Sequence, residues 1–357
     1  MSRQLSANAK PDLRYFLCVA TLMILFLTIP AVLCAQRTAL HLPILDPGVQ
    51  AQPPYAVSVF AQSIPGQYTA PDSITSNSSA IYIGYGNGGD PGGGNATPST
   101  IIEYDYNGNI LNMVLVHGHN DGLKINPQTG DLWALQNEDA NANLVILDPN
   151  NLTQKKKYFI GTGPHGGGYD DIVFLNGNVY FSASNPQHNP NNEPAIMQFI
   201  TNGNSFTLTP VLYGNASAID IPTGQMVTLN LQDPDSMTYN FGGDIVLDSQ
   251  ADGELVVVRN PGLGNQKVFR VLLTVGGQGT TIDDTVFPTA SAGFLLVADT
   301  GGDTVYEITA PFFEPGSAYS ASDSDGFVGQ LDFNSGVLTP VVTGMVSAHG
   351  MDFIPQQ

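Results

Sequence analysis

The sequence predicts an all-β fold, and within that class a β-propeller, on three observations. Apolar residues come in runs and alternations of strand length, with no amphipathic helical stretch beyond the N-terminal leader. The chain is rich in Gly, Asn, Asp, Thr and Val, which suit short strands and tight turns. One unit also recurs: "NDGLKINPQTGDLWALQNEDANANLVILDPN" (120–150) returns as "PDSMTYNFGGDIVLDSQADGELVVVRNPG" (234–262). Looser copies open at Pro71, Asp170 and Asp283, and "HGMDFIP" from His349 reads as the first strand of one more. A period of about 50 residues, with four short strands in each, is the signature of a propeller.

The elements follow in chain order. Arg3, Lys10 and Arg14 precede the apolar run Phe16 to Leu33, which ends at "CAQ". A charged start, an apolar middle and small residues at the end predict a secretory signal peptide over residues 1–35, cleaved before Gln36. An uncleaved membrane anchor is the alternative, since the run approaches bilayer length. Residues 36–54 read as an N-terminal extension, and 55–357 as a single propeller domain. Each unit supplies three strands. The fourth falls at 110–116, 156–161, 206–214, 267–273 and 338–344, with 55–62 in the same slot ahead of Pro71. Insertions are expected at 215–231 and 311–326. The chain opens on a fourth strand and closes on a first strand. Pairing the termini in one blade would therefore close the ring and leave no exposed inner edge. Six blades are expected, with five as the alternative. The shared blade lacks clear second and third strands, for which 37–54 or 311–326 are the candidates. A two-sheet sandwich would explain the strands but not the repeat.

Composition excludes several functions. Both cysteines, Cys18 and Cys34, lie in the leader, so the rest of the chain has no disulfide, thiol nucleophile or cysteine metal site. The formal net charge of −20 repels nucleic acid and anionic membrane and suits cations. The Gly-rich "NGGDPGGGNATP" (87–98) follows no strand–helix pattern and carries no Lys-Ser pair, so no nucleotide cofactor is expected.

In a propeller the first strand of each blade lines the central channel, so equivalent positions meet around the axis. Asp72, Asp121, Asp171, Asp235 and Asp284 hold the opening position of five units, and His349 that of the sixth. Carboxylates aimed at one mouth repel each other. A cation relieves the repulsion, and calcium, with six to eight oxygen ligands, or another divalent metal fits the set. The structural alternative is that each aspartate accepts backbone hydrogen bonds and locks blade to blade. Corner residues Asn137, Glu138, Asp139, Asn185 and Asp299 would share that face if their loops fold inward. His119, His165 and His349 precede or open first strands and are the candidates for moving protons.

"LLVADTGGDTVYEIT" (295–309) is similar to the run of NHL propellers in which a strand ends in Asp-Thr-Gly. "SAHGMDFIP" resembles a blade opening of the same superfamily. Over most of residues 55–355 the pattern looks like the secreted propellers grouped with the SMP-30/gluconolactonase and NHL families. This resemblance implies a choice between calcium- or zinc-dependent lactonases, lyases, and propellers that only bind. The sequence-level expectation is a secreted or periplasmic monomer that binds a small molecule, carbohydrate or protein on the Asp/His-lined face, without inserting in the membrane once the signal is removed. The alternative is a metal-dependent hydrolase or lyase of the SMP-30/gluconolactonase type.

Overall fold

Strand pairing follows from the alternation in the sequence, and a computed structural model describes residues 45–356. The leader, its cleavage point and the first part of the extension lie outside the described residues.

Six antiparallel sheets are arranged so that each inner strand packs against the next and the sixth returns to the first. Blade 1 runs from its inner strand Pro71–Ser76 through Ile81–Tyr85 and Pro98–Tyr104 to Ile110–His117. Blade 2 has Asn120–Ile125, Leu132–Gln136, Ala142–Leu147 and Gln154–Gly161. Blade 3 has Ile172–Leu175, Asn178–Ser182, Pro194–Asn202 and Ser205–Tyr213. Blade 4 has Pro234–Tyr239, Ile245–Ser249, Glu254–Arg259 and Lys267–Leu272. The expected insertion after blade 3 forms the hairpin Ser217–Asp220/Met226–Thr228, which extends the outer edge of blade 4 through a parallel pairing.

The middle strands read as continuous apolar runs because both of their faces are buried. Side chains alternate across a strand. In blade 2, Leu132 and Ala134 therefore enter the cluster shared with blade 1. Trp133 and Leu135 enter the one shared with blade 3, where Trp133 meets Phe174 edge-on at 5.1 Å. Each of the six blade junctions has one such cluster.

The ring closes as expected in kind but not in detail. Blade 6 pairs the C-terminal inner strand Ala348–Pro355 with Gly293–Asp299 and Thr304–Thr309, and the N-terminal strand Ala56–Gln62 forms its outer edge. Residues 293–309, read from sequence as the continuation of the unit opening at Asp283, thus belong to the closing blade. Blade 5 takes only Asp284–Val286 from that unit. It is completed by Ala318–Ser322, Phe327–Asp332 and Val337–Thr343, so the segment 311–326 is not a simple insertion. Within the extension, Gln50–Ala51 pairs with the outer edge of blade 5 and does not supply the missing strands of blade 6. The physical reason is that two hairpins of similar apolar pattern compete for the same slots. A strand goes where an unpaired edge awaits it, and the edges left by the two terminal strands lie far away in sequence.

The acidic mouth as candidate functional site

Four of the six inner strands start with a local irregularity that aims the first polar residue. In blade 1, Pro71 pairs with Tyr85 but Ile74 with Ile83, so Asp72 and Ser73 together face one residue of the neighbouring strand. Asp121–Gly122, Asp235–Ser236 and His349–Gly350 repeat this bulge. A bulge bends the strand and re-aims its side chains. The second residue of the pair turns to the next blade. A Cβ on Gly122 would lie 2.4 Å from the Asp170 carbonyl, and one on Gly350 2.4 Å from the Asp72 carbonyl.

This frame separates the five aspartates picked from sequence. Asp72, Asp121 and Asp235 hold the first position. Asp171 and Asp284 hold the second and act as blade locks: Asp171 accepts the Met237 amide at 2.9 Å and Asp284 the Met351 amide at 2.7 Å. Asp171 also pairs with Lys124 at 3.2 Å. The groups equivalent to Asp72 are their neighbours Asp170 and Asp283. Sequence reading passed over these two because each "DD" offers two acids, and only the docking of the next blade, whose amides bond Asp171 and Asp284, distinguishes them.

Asp72, Asp121, Asp170, Asp235 and Asp283 form one electrostatic cluster. Burial raises the Asp121 carboxyl, and Asp170, Asp72 and Glu138 raise it further. Burial likewise raises Asp235, with Asp170 and Asp283 adding to it, and raises Asp283, with Asp72 adding. Asp170, only 4% exposed, keeps one oxygen, Oδ1, without a hydrogen-bond partner. His349 lies between two members, 3.9 Å from Asp72 and 3.7 Å from Asp283, with its Nδ1 on the Thr300 hydroxyl.

A second grouping lies beside Asp121. Ligand atoms of His119, Asp121 and Glu138 all lie within 4.8 Å of one another, and His119 Nδ1 is 3.0 Å from Glu138 Oε2. The local chain builds this. Asn137, left-handed at φ 65°, turns the corner that delivers Glu138, and its side-chain oxygen accepts the His119 amide at 2.9 Å. Gly86 leaves room for the ring, since a Cβ there would sit 2.6 Å from His119 Nε2. Burial alone would lower the His119 pKa, but the hydrogen bond and charge of Glu138, with Asp72 and Asp139 beyond, outweigh it and the net shift is upward.

The remaining candidates are placed as follows. His165 is wholly buried, with its Nε2 2.7 Å from the Gly168 carbonyl oxygen. Asp299 accepts the amides of Gly302, Val346 and Ser347 and so anchors a turn. Asn137 is engaged as described, and Asn185 is exposed. Asp139 is half-buried, with its carboxyl raised by burial and by Asp90. Asp233, not singled out from sequence, is raised to about 6 by burial and by Asp139 and Asp252.

These donors fit a divalent cation. The aspartates of the mouth are hard oxygen ligands, and the unpartnered Asp170 oxygen is an acceptor with nothing to accept. The His119–Asp121–Glu138 trio adds one nitrogen, which widens the choice towards zinc-like ions.

No family model matches the chain, and no curated protein matches it in sequence. Solved structures similar to it include a Bacteroides caccae protein of unknown function, at 12% identity and TM-score 0.49, covering 80% of this chain and 87% of that one. The periplasmic gluconolactonase of Pseudomonas aeruginosa is similar at 12% identity and TM-score 0.46, covering 80% and 88%. Virginiamycin B lyase of Staphylococcus aureus is similar at 12% identity and TM-score 0.45, covering 85% and 89%.

Proposed function

We propose that this chain is an exported propeller that binds a divalent cation, calcium by preference, and through it an oxygen-bearing ligand or partner at the acidic mouth. The observation that carries this is the convergence of Asp72, Asp121, Asp170, Asp235 and Asp283, with a buried Asp170 oxygen left unpartnered. Clustered carboxylates raise one another's pKa, and a cation held among them relieves that repulsion. Residues of this chain would hold the ion, and ligand oxygens would complete its coordination. Export rests on the N-terminal leader pattern. The test is the metal content of the purified protein and its melting with calcium and with EDTA. Stabilisation by calcium that rises with its concentration supports the reading. A metal-free protein indifferent to both would sink it.

The His119–Glu138 pair favours a second reading, a metal-dependent hydrolase or lyase. His119 is partly exposed at the mouth, its proton affinity is raised, and it stands beside a possible ligand set, as a general acid or base requires. Turnover of lactone substrates that is lost in His119→Ala, with calcium stabilisation retained, would select it.

A further inference from the structure

The channel has two ends, and the acidic mouth accounts for only one. Four residues along each inner strand from the acidic position, about 13 Å by strand geometry, the chain reaches the opposite face. Between the ends lie Ile74, Ile172, Met237 and Met351, all buried in the clusters at the blade junctions and forming the floor of the space at the far end. At that end is a cavity of about 340 Å³, lined by the far ends of all six inner strands and the turns that follow them. That volume is within the range of small-molecule sites, about 300–1,000 Å³.

Its chemistry is distinct from that of the acidic mouth. The walls are aromatic: Phe174, Phe287 and Phe353, with Tyr239 and Phe241 at the rim. The two rim residues are 52% and 60% exposed, large apolar surfaces that solvent would not favour leaving bare. The charged groups of the lining are Lys124, Asp284 and Asp352. Lys124 is already paired with Asp171 at 3.2 Å, and Asp284 accepts two backbone amides. Asp352 accepts the Ser76 hydroxyl at 2.7 Å and has no ion-pair partner among the described residues. Asp171, Asp284 and Asp352 thus outnumber the single ammonium. With three carboxylates to one ammonium, the set is two positive charges short beside a group of aromatic rings.

We propose that this cavity is a second binding site, specific for a small organic cation: an ammonium group on Asp352 with an apolar body among Phe174, Tyr239, Phe241 and Phe287. Aromatic faces and a carboxylate both attract an ammonium, whereas a carboxylate ligand would meet Asp352 and Asp284. Burial raises the Asp352 carboxyl only to about 6, so it is ionised at neutral pH. The site does not depend on the acidic mouth or on any metal there.

Calorimetric titration with 2-phenylethylammonium in excess EDTA tests it, with 3-phenylpropionate as the anionic control of similar size. The ammonium is expected to bind, and the anion to bind at least about tenfold more weakly. Asp352→Asn and Phe241→Ala should each weaken the ammonium by about tenfold. Phe241 is exposed, so its variant folds and keeps the test valid if Asp352→Asn does not. Absence of ammonium binding, equal binding of the anion, or affinity unchanged in Phe241→Ala would overturn the proposal. Because chelator is present throughout, failure here leaves the acidic mouth untouched, and loss of the metal site leaves this one standing.

Discussion

Two adjacent aspartates, one covalent step apart, do opposite work. Asp171 accepts the Met237 amide and pairs with Lys124, whereas Asp170 faces the axis with an oxygen unpartnered. Asp171→Ala should destabilise the protein by about 1–3 kcal/mol, because it strands the buried Met237 amide and removes the ion-pair partner of Lys124. Asp170→Asn should instead leave stability unchanged or raise it without metal, and abolish stabilisation by calcium. Urea melts of both variants, with and without calcium, check the pair; a calcium response retained in Asp170→Asn removes that residue from the ligand set. His119 offers a second check at this scale. Its titration, followed by NMR, should lie above the ordinary 6.5 and fall on Glu138→Gln, where the raising partner is lost but the burial remains. The type of residue in the site was legible in the sequence. The member of each Asp pair was not, because which carboxylate meets the next blade's amide depends on how neighbouring blades dock.

At the scale of strands, blades 5 and 6 are interlaced. The chain leaves the inner strand of blade 5, builds the middle of blade 6, returns to finish blade 5, and ends on the inner strand of blade 6. Blade 6 therefore exists only when three distant segments meet. Truncation before Ala348 should abolish a cooperative unfolding transition, since it removes an inner strand and bares Gly293–Asp299. Shortening the hairpin 217–228, whose Ala218 is buried between blades 3 and 4 and whose Asp220 pairs with Arg270 at 2.8 Å, should keep a cooperative transition but lower the melting temperature, by about 2–4 kcal/mol in stability. Differential scanning calorimetry separates the two cases. The sequence showed the strands themselves and all six outer strands within two residues. It could not assign the hairpin 293–309 to its blade, because that depends on which edges are vacant and not on the hairpin's own pattern.

For the whole molecule, buried carboxylates set the response to pH. Burial, partly offset by Lys124, raises Asp284 and Asp352 to about 6, and burial, partly offset by Arg270, raises Glu254 to about 7. Each binds its proton more tightly folded than unfolded, so its stabilising effect is complete below the unfolded value near 4 and is lost as pH rises through the folded value. With EDTA present the melting temperature should fall between about pH 4 and pH 7. The increment from calcium should grow as pH rises, because burial and mutual repulsion hold the protons of Asp121, Asp235 and Asp283 above the ordinary carboxylate range and calcium must displace them. Melting curves from pH 4.5 to 8.5 test both statements; a calcium increment flat with pH would argue against ligation by these carboxylates. The sequence alone determined the all-β class, the repeat and its ring, because strand periodicity and turn chemistry are local, and a repeated unit must bury both faces against its neighbours. Only the tertiary structure decided which acid of each pair locks to the next blade, which hairpin closes the ring, and that a cavity opens at the far ends of the inner strands. Each of these depends on register and on contacts between segments far apart in the chain, which no local pattern encodes.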